Sequence, residues 1–313
     1  MRDVASALER RLGVGRVKAG EPLAPYTTFK VGGAAEWLVE PSGRDELVAT
    51  LQIAHAMGVP VTMLGGGSNV LVSDLGVRGL VVRPRGGEVE RVSDTEIRSD
   101  AAVTMNGLVR WTISHGAAGL EAWAGTPGTV GGAIHGNAHF GGRNISQYVT
   151  RVELWDATDA CVVVPQAAME FGYDRSRLRT THEVLLAAAF SVSPGQPTAL
   201  RAVARESLAF RKRTQPLESP SAGCIFQNPQ RGTDNVPNGI PWSAGALVDR
   251  AGLKGVTEGG ARVALTHGNF IVNVGSASAR DIRALINRCR DEVFRQFGVE
   301  LREEIVYLGD FEP

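Results

Sequence analysis

The sequence predicts a chain of mixed helix and strand folded as two or three domains. Three observations carry this. Its 313 residues are more than one hydrophobic core usually organises. Segments of helical and strand periodicity succeed one another, and a Pro/Ser-rich break, TQPLESPSAG, separates an earlier from a later block of them. The 38 glycines cluster instead of scattering, which suggests backbone drawn close to a ligand.

The elements follow in order. MRDVASALERRLGVG is an amphipathic start with charges throughout and no apolar signal core. Residues 42–58, SGRDELVATLQIAHAMG, read as a helix, with Ser42 and Asp45 as a capping box and Gly58 as the stop. VPVTMLG (59–65) reads as a strand, followed by GGGSNVLVS and GLVVR, a β-α-β-like unit with a glycine-rich turn. Strand signals recur at 97–104, 151–164 and 181–192. Residues 199–213 read as a helix running into the break, so a boundary is placed near 195–200. Over 278–297, Ser278 and Asp281 form a capping box, and Ile282, Leu285, Ile286, Cys289, Val293 and Phe297 share one face. No apolar run reaches the roughly 18 residues of a membrane span.

Charge excludes some partners. With 33 basic and 33 acidic side chains, nothing in the electrostatics calls for nucleic acid or an anionic membrane. Cys161, Cys224 and Cys289 form no CxxC pair and no metal-ligand spacing, so no metal site is expected and a reducing, cytoplasmic location is. Cys289 falls on the helix's core face, and Cys161 lies in the strand-like run CVVVP, where a structural role is expected. Cys224 differs. In SAGCIFQNP small residues precede it and a polar pair follows, the setting of a chain that approaches something closely.

Two loops indicate what is bound. GGGSN (Gly65, Gly66, Gly67, Ser68, Asn69) follows a strand, but the third glycine of a GxGxxG fingerprint would fall on Val70, and no GK[ST] follows. Phosphate binding here would rest on backbone N–H groups alone. GTPGTVGGAIHGNAHFGG supplies Gly125, Gly128, Gly131 and Gly132 among small residues, more than one turn needs. Two such loops suggest a large cofactor with a pyrophosphate.

TTFKVGGAAEWLVEP, LGGGSNVLVSD, AGTPGTVGGAIHGNA, SAGCIFQNP, AGLKG, THGNFIVN and GVELREEIVYLG occur in this order from about Tyr26 to Gly309. Together they resemble the UDP-N-acetylenolpyruvoylglucosamine reductase family. The resemblance implies an α+β fold: a two-subdomain FAD-binding domain of the vanillyl-alcohol-oxidase-like (PCMH) type, residues 1–198 with its core from about 26, and a C-terminal α+β substrate-binding domain, 199–313, whose last strand returns Glu304 to the active site. It implies FAD wrapped by Gly65–Asn69 and by Gly125, Thr126, Pro127, Gly128, Gly131, Gly132, Ala133, Asn137 and Ala138, with His135 and His139 in the same loop. The loops carry no clear attachment motif, so the FAD is expected to be non-covalent. NADPH is implied as co-substrate and a nucleotide sugar as substrate, in peptidoglycan precursor synthesis.

The implied reaction places a hydride on C3 of an enolpyruvyl ether and a proton on C2. Cys224 stands where the family commonly has a serine proton donor, and a thiol is a far stronger acid than an alcohol. Glu304 matches the family's C-terminal catalytic glutamate, whereas Glu303 would point the other way on a strand. The family's Tyr-Arg-x-Ser becomes Tyr173, Asp174, Arg175 and Ser176 here, with Asp174 at the arginine position. Arg177 is favoured as the supporting cation and Arg175 is the alternative. Substrate contacts are expected from Tyr173, Gln227 (in place of a lysine), Asn228, His267 and Asn269. The short interval from Tyr173 to Cys224 resembles the class without an inserted tyrosine-bearing loop. Two other readings share the cofactor loops: a carbohydrate oxidase of the same fold, and an inactive binding homologue.

Overall fold

The computed structural model describes residues 2–311 apart from 157 and 159, two positions within the expected 151–164 strand run. It divides into two compact units: residues 1–20, 36–66 and 78–210 in the first, and 21–35, 67–77 and 211–313 in the second. The units do not follow the single cut expected at 198/199. The helix Pro197–Thr214 runs through that point, and the change of unit comes after Phe210. Two short early segments also belong with the later part of the chain.

The first unit has two cores, as two subdomains require. One surrounds the helix Gly43–Ala56, whose Leu47, Leu51 and Ala54 face inward at helical spacing. This core begins earlier than the expected residue 26, because Val4, Leu8 and Leu12 of the helix Arg2–Leu12 are buried in it. Gly58 ends the helix as expected, with φ +61° and its N–H donated to the His55 carbonyl at 3.0 Å. The expected Ser42–Asp45 capping box does not form. The Ser42 side chain makes no cap bond, and the Ser42 N–H donates to Glu46 Oε2 at 2.7 Å, one residue further on. The bodies of four strands make the accompanying sheet, in the order Val17–Pro22, Ala34–Val39, Val77–Val82, Val61–Met63, the last two parallel.

The other core lies on a five-stranded antiparallel sheet, in the order Cys161–Pro165, Val149–Trp155, Val184–Ser191, Glu96–Asp100, Val89–Ser93. The central strand, VLLAAAFS, is buried on both faces until its last residue, which is why it reads as a continuous apolar run. Val89–Ser93 is mostly exposed and has no apolar alternation, so periodicity does not show it. The structural role expected for Cys161 is overturned. It begins an edge strand and its side chain is exposed.

The second unit packs around the helix Ala279–Phe297. Its capping box forms with both bonds, and Ile282, Leu285, Ile286, Cys289 and Val293 are buried. Asp74 adds a second anchor there, accepting the N–H groups of Ala279 and Arg280 at 2.9 and 3.0 Å. Burial pushes the Cys289 thiol up to about 12, so it is inert packing. Strands Thr257–Glu258, Ala261–Val263 and Ile271–Asn273 form an antiparallel sheet, and Val306–Leu308 pairs in parallel with Val70–Val72. That pairing brings the early segment 67–77 into this unit. Among the described residues no helix is long and apolar enough to cross a membrane.

Candidate active site

The glycine loops of the first unit meet backbone to backbone. A Cβ on Gly66 would lie 2.6 Å from Gly128 Cα, and one on Gly65 would lie 2.7 Å from Thr129 Oγ1. Gly125 and Gly128 have φ of +80° and +99°, conformations that L side chains rarely adopt. Side chains the sequence did not single out hold the cradle. Asn106 Oδ1 accepts the Gly125 N–H at 2.8 Å, and the Thr129 hydroxyl accepts from Gly132 at the start of the short helix Val130–His135. Sterically, this suits a ligand gripped by main-chain N–H groups, as a diphosphate is.

Asn137 and Asn69, both expected at the cofactor, also make structural bonds. Asn137 is buried with φ +46°; its Nδ2 donates to the Gly172 carbonyl at 2.7 Å and its Oδ1 accepts from Ser146 N–H at 3.2 Å. It ties the loop to the turn at 172. Gly67, Ser68 and Asn69 lie in the second unit, where Asn69 Nδ2 donates to the Glu304 carbonyl at 3.3 Å. Gly67 has φ +63°, and a Cβ there would lie 2.2 Å from the Tyr26 carbonyl oxygen.

The turn after Tyr173 is built around Asp174. Gly172 and Arg175 bridge, with Gly172 N–H donating to the Arg175 carbonyl at 3.0 Å, and Asp174 between them is buried at φ +53°. The Ser176 hydroxyl donates to the His135 carbonyl at 2.9 Å. Arg177, the favoured cation, is committed elsewhere. Its guanidinium pairs with both Glu183 oxygens and donates to the Ala168 carbonyl at 3.1 Å. Arg175 is exposed, its side chain folded back over Gly172. Burial, with Arg179 as a secondary cause, lowers the His135 pKa and favours its neutral ring.

In the second unit the chain around Cys224 is held on both sides. Glu304 N–H donates to the Ile225 carbonyl and Gln227 N–H to the Arg302 carbonyl, both at 2.8 Å, with Phe226 and Glu303 bridging antiparallel. On the other side Ile225 N–H donates to the Asn269 carbonyl at 2.9 Å. Asn269 also accepts the Phe226 N–H at 2.9 Å through Oδ1 and donates to the Phe226 carbonyl at 2.7 Å through Nδ2. Expected as a substrate contact, Asn269 thus braces the thiol's strand with both ends of its amide. Cys224 and Glu304 therefore ride on paired segments, both half-buried. Glu303 is used structurally: its carboxylate accepts from Arg290 at 3.0 Å, and burial first and Glu303 second raise the pKa of the nearby Tyr307 hydroxyl.

The remaining expected contacts surround this ladder. Asn228 Oδ1 accepts the Ala244 N–H at 3.0 Å, so it caps a helix as well. His267 Nδ1 accepts the Asn269 N–H at 3.2 Å, and burial, then Lys254, lowers its pKa and favours the neutral ring. Arg211 was missed. It is 7% exposed, burial brings its guanidinium down to about 10, and Cys224 acts on it in the opposite direction. The sequence carried a signal: 200, 204 and 211 repeat at helical spacing, so this cation falls on an apolar face.

Comparison with known proteins agrees with this arrangement. Residues 35–164 match the model of an FAD binding domain, and residues 215–308 match that of the UDP-N-acetylenolpyruvoylglucosamine reductase C-terminal domain. The glycine cradle lies within the first match, and its lack of Cβ atoms fits FAD. The UDP-N-acetylenolpyruvoylglucosamine reductase of Myxococcus xanthus (strain DK1622) is 39% identical over 98% of both chains. That of Synechococcus sp. (strain JA-3-3Ab) is 38% identical over 95% of this chain and 93% of its own. The crystal structure of the enzyme from Thermus caldophilus superposes with a TM-score of 0.76 at 31% identity, covering 93% of this chain and 98% of that one. The α+β, FAD-binding fold expected from the sequence is thereby shown, and the chain belongs to the UDP-N-acetylenolpyruvoylglucosamine reductase family.

Proposed function

We propose that the protein is an NADPH-dependent reductase that converts UDP-N-acetylglucosamine enolpyruvate to UDP-N-acetylmuramate, a peptidoglycan precursor, in the cytoplasm. The observation that carries the reading is the pairing of the segments around Cys224 and Glu304, which puts a thiol and a carboxylate on bridged stretches of chain. An oxidase built on the same cofactor loops has no use for that pair. Bound non-covalently, FAD supplies the hydride relay between NADPH and C3 of the enolpyruvyl group.

The chain's own residues do the rest. The glycine cradle grips the cofactor through main-chain groups and leaves no room for a side chain at Gly66. As C3 gains hydride, negative charge develops at C2 and spreads into the adjacent carboxylate. Cys224 gives its Sγ proton to C2, which completes the addition of hydride and proton across the double bond. A thiol ionises near 8.5 in water, so it carries that proton at neutral pH. Glu304, whose N–H donates to the Ile225 carbonyl, works with the thiol in this reading. Asn269 keeps the thiol's strand from shifting. Tyr173, Gln227, Asn228 and His267 contribute contacts to the nucleotide sugar.

Anaerobic mixing tests the reading. The purified yellow protein is bleached by NADPH, and its flavin absorbance returns when UDP-N-acetylglucosamine enolpyruvate is added. A flavin that reoxidises with oxygen or a sugar acceptor but not with that substrate would overturn it.

A further inference from the structure

The second unit carries an open hollow of about 560 Å³ whose walls the reductase reading leaves unused. Lys30, Ser219, Pro220, Arg262, Asn273 and Gly275 line it, all from this one unit. The lining holds two cations and no acidic residue. Glu218, adjacent in sequence to Ser219, is exposed and is not part of the wall.

Strand alternation places Arg262. It is the middle residue of the strand Ala261–Val263, whose other two residues are buried in the core, so its side chain leaves by the opposite face. That strand is the central one of its sheet, which holds the arginine's backbone on both sides. The Arg262 Nε is buried and makes no hydrogen bond, and the guanidinium forms no ion pair among the described residues. Buried donors are nearly always satisfied, so an orphaned one on a cation calls for an acceptor that the chain itself does not supply. Lys30 brings the second charge. One of its three ammonium donors goes to the Pro25 carbonyl at 3.0 Å, and no carboxylate pairs with it among the described residues.

Asn273 fixes the walls relative to one another. Its N–H donates to the Pro220 carbonyl at 2.9 Å and its Nδ2 to the Phe29 carbonyl at 3.0 Å, while its Oδ1 accepts from Gly275 and Ala277 at 2.8 and 3.1 Å. One buried residue thus joins the segments that carry Ser219, Lys30 and Gly275. The hollow is preformed, and a ligand has little of it left to order.

We propose that this hollow binds the phosphoryl group of a small phosphate monoester. Arg262 offers paired N–H donors that fit two phosphoryl oxygens, Lys30 a point charge, and Ser219 a hydroxyl. Two cations match the charge of about −2 that such a group carries at neutral pH. A volume of about 560 Å³ is in the range of small-molecule sites and more than a bare phosphate fills, and Pro220 and Val274 give the organic part an apolar wall. The proposal does not depend on the reductase reading.

Isothermal titration of the FAD-loaded protein, in a phosphate-free buffer of low ionic strength, tests it. The probes are glucose 6-phosphate, AMP, inorganic phosphate and unphosphorylated glucose. At least one ester is expected to bind more tightly than inorganic phosphate, and glucose is expected not to bind. Binding of the sugar ester, the nucleotide or both supports the site and identifies the organic part it accepts. Arg262→Gln should weaken the bound ester by about 10- to 100-fold, the scale of charge-assisted hydrogen bonds, and Arg262→Lys should recover part of that loss. Lys30→Glu, at an exposed position where the fold does not depend on the side chain, should weaken it by about 10-fold. FAD content and thermal melting establish that each variant is folded, and the ester should raise the melting temperature of wild type more than that of either Arg262→Gln or Lys30→Glu. Titrations in which neither ester gives heat at millimolar concentration overturn the proposal. So does an ester that binds Arg262→Gln and Lys30→Glu as tightly as wild type.

Discussion

The loops around Gly66 and Gly128 work through an absence of side chains, and the strand around Cys224 works through the side chains it presents. In the first region a single Cβ would strike main chain at 2.6 Å, so function depends on shape, and almost any substitution counts equally. In the second the main chain of residues 225–227 is engaged by residues 302–304 and Asn269, and the proposed chemistry falls to the side chains of Cys224 and Glu304 on these paired segments. The difference teaches how each region should fail. A cradle loses its cofactor, whereas a ladder keeps its fold and loses a step.

The largest expected effect comes from the ladder. Cys224→Ala should leave FAD content and bleaching by NADPH unchanged and slow reoxidation by the enolpyruvyl substrate by about 10²–10⁴-fold, the range of a positioned acid. Cys224→Ser should recover a substantial part, because an oxygen donor occupies the same place. Stopped-flow flavin absorbance separates the two half-reactions. Reoxidation of the alanine variant at the wild-type rate would leave the thiol with a packing role only.

A smaller loss is expected from the cradle, and in the opposite half of the experiment. Gly66→Ala forces one loop away from the other at a cost of about 1–3 kcal/mol, which should weaken FAD binding by roughly 10- to 100-fold. Gly132→Ala is the control, since its nearest neighbour, Thr129 Oγ1, would be 3.7 Å from the new Cβ, an ordinary contact. Flavin fluorescence titration of the deflavinated proteins reads both. If the two variants bind FAD alike, the backbone contact between the loops is not what holds the cofactor.

The smallest effect lies in the sheet under the cradle and sharpens the comparison by belonging to neither region. Arg98 first, and Arg44 second, hold the Glu153 carboxyl down to about 2, against an ordinary 4.5. A carboxyl whose pKa is lowered by folding adds stability above its unfolded value and loses it as pH falls through the folded one. Wild type should therefore exceed Glu153→Gln in thermal stability at neutral pH, and the gap should close between about pH 4.5 and 2. The group is partly exposed, so the gap is on the order of 1 kcal/mol. Thermal melts across that window, with FAD bound, check the sign. A gap that widens on acidification would contradict it.

Much of this was legible because it depends on neighbours in sequence. The helix Ala279–Phe297 declares its cap, its face and its buried Cys289 within twenty positions. The glycine loops announce themselves by composition, and the opposite directions of Glu303 and Glu304 follow from strand alternation. What was misread depends on distant partners. Asn269 is expected at the substrate because THGNFIVN matches a family segment, and the structure adds a second duty, since the Phe226 backbone, 43 positions away, bonds both ends of its amide. Cys161 looks structural because Val162, Val163 and Val164 follow it, yet among the described residues its strand is the last in the sheet, and the side chain is exposed.

The sequence by itself determined the α+β elements, the two glycine loops and the family, and it named the thiol and glutamate proposed for the chemistry, because each is written in local pattern or in motifs that keep their order along the chain. Only the tertiary structure decided which charges are available for chemistry. Arg177 looked the better cation by spacing, but its guanidinium is taken by Glu183; Asp174 looked like a lost arginine, but burial pairs it with His139. The physical reason is that a side chain's charge and availability are set by whatever folding places against it: Glu183, six positions on, turns back against Arg177, and His139, from another loop, lies against Asp174.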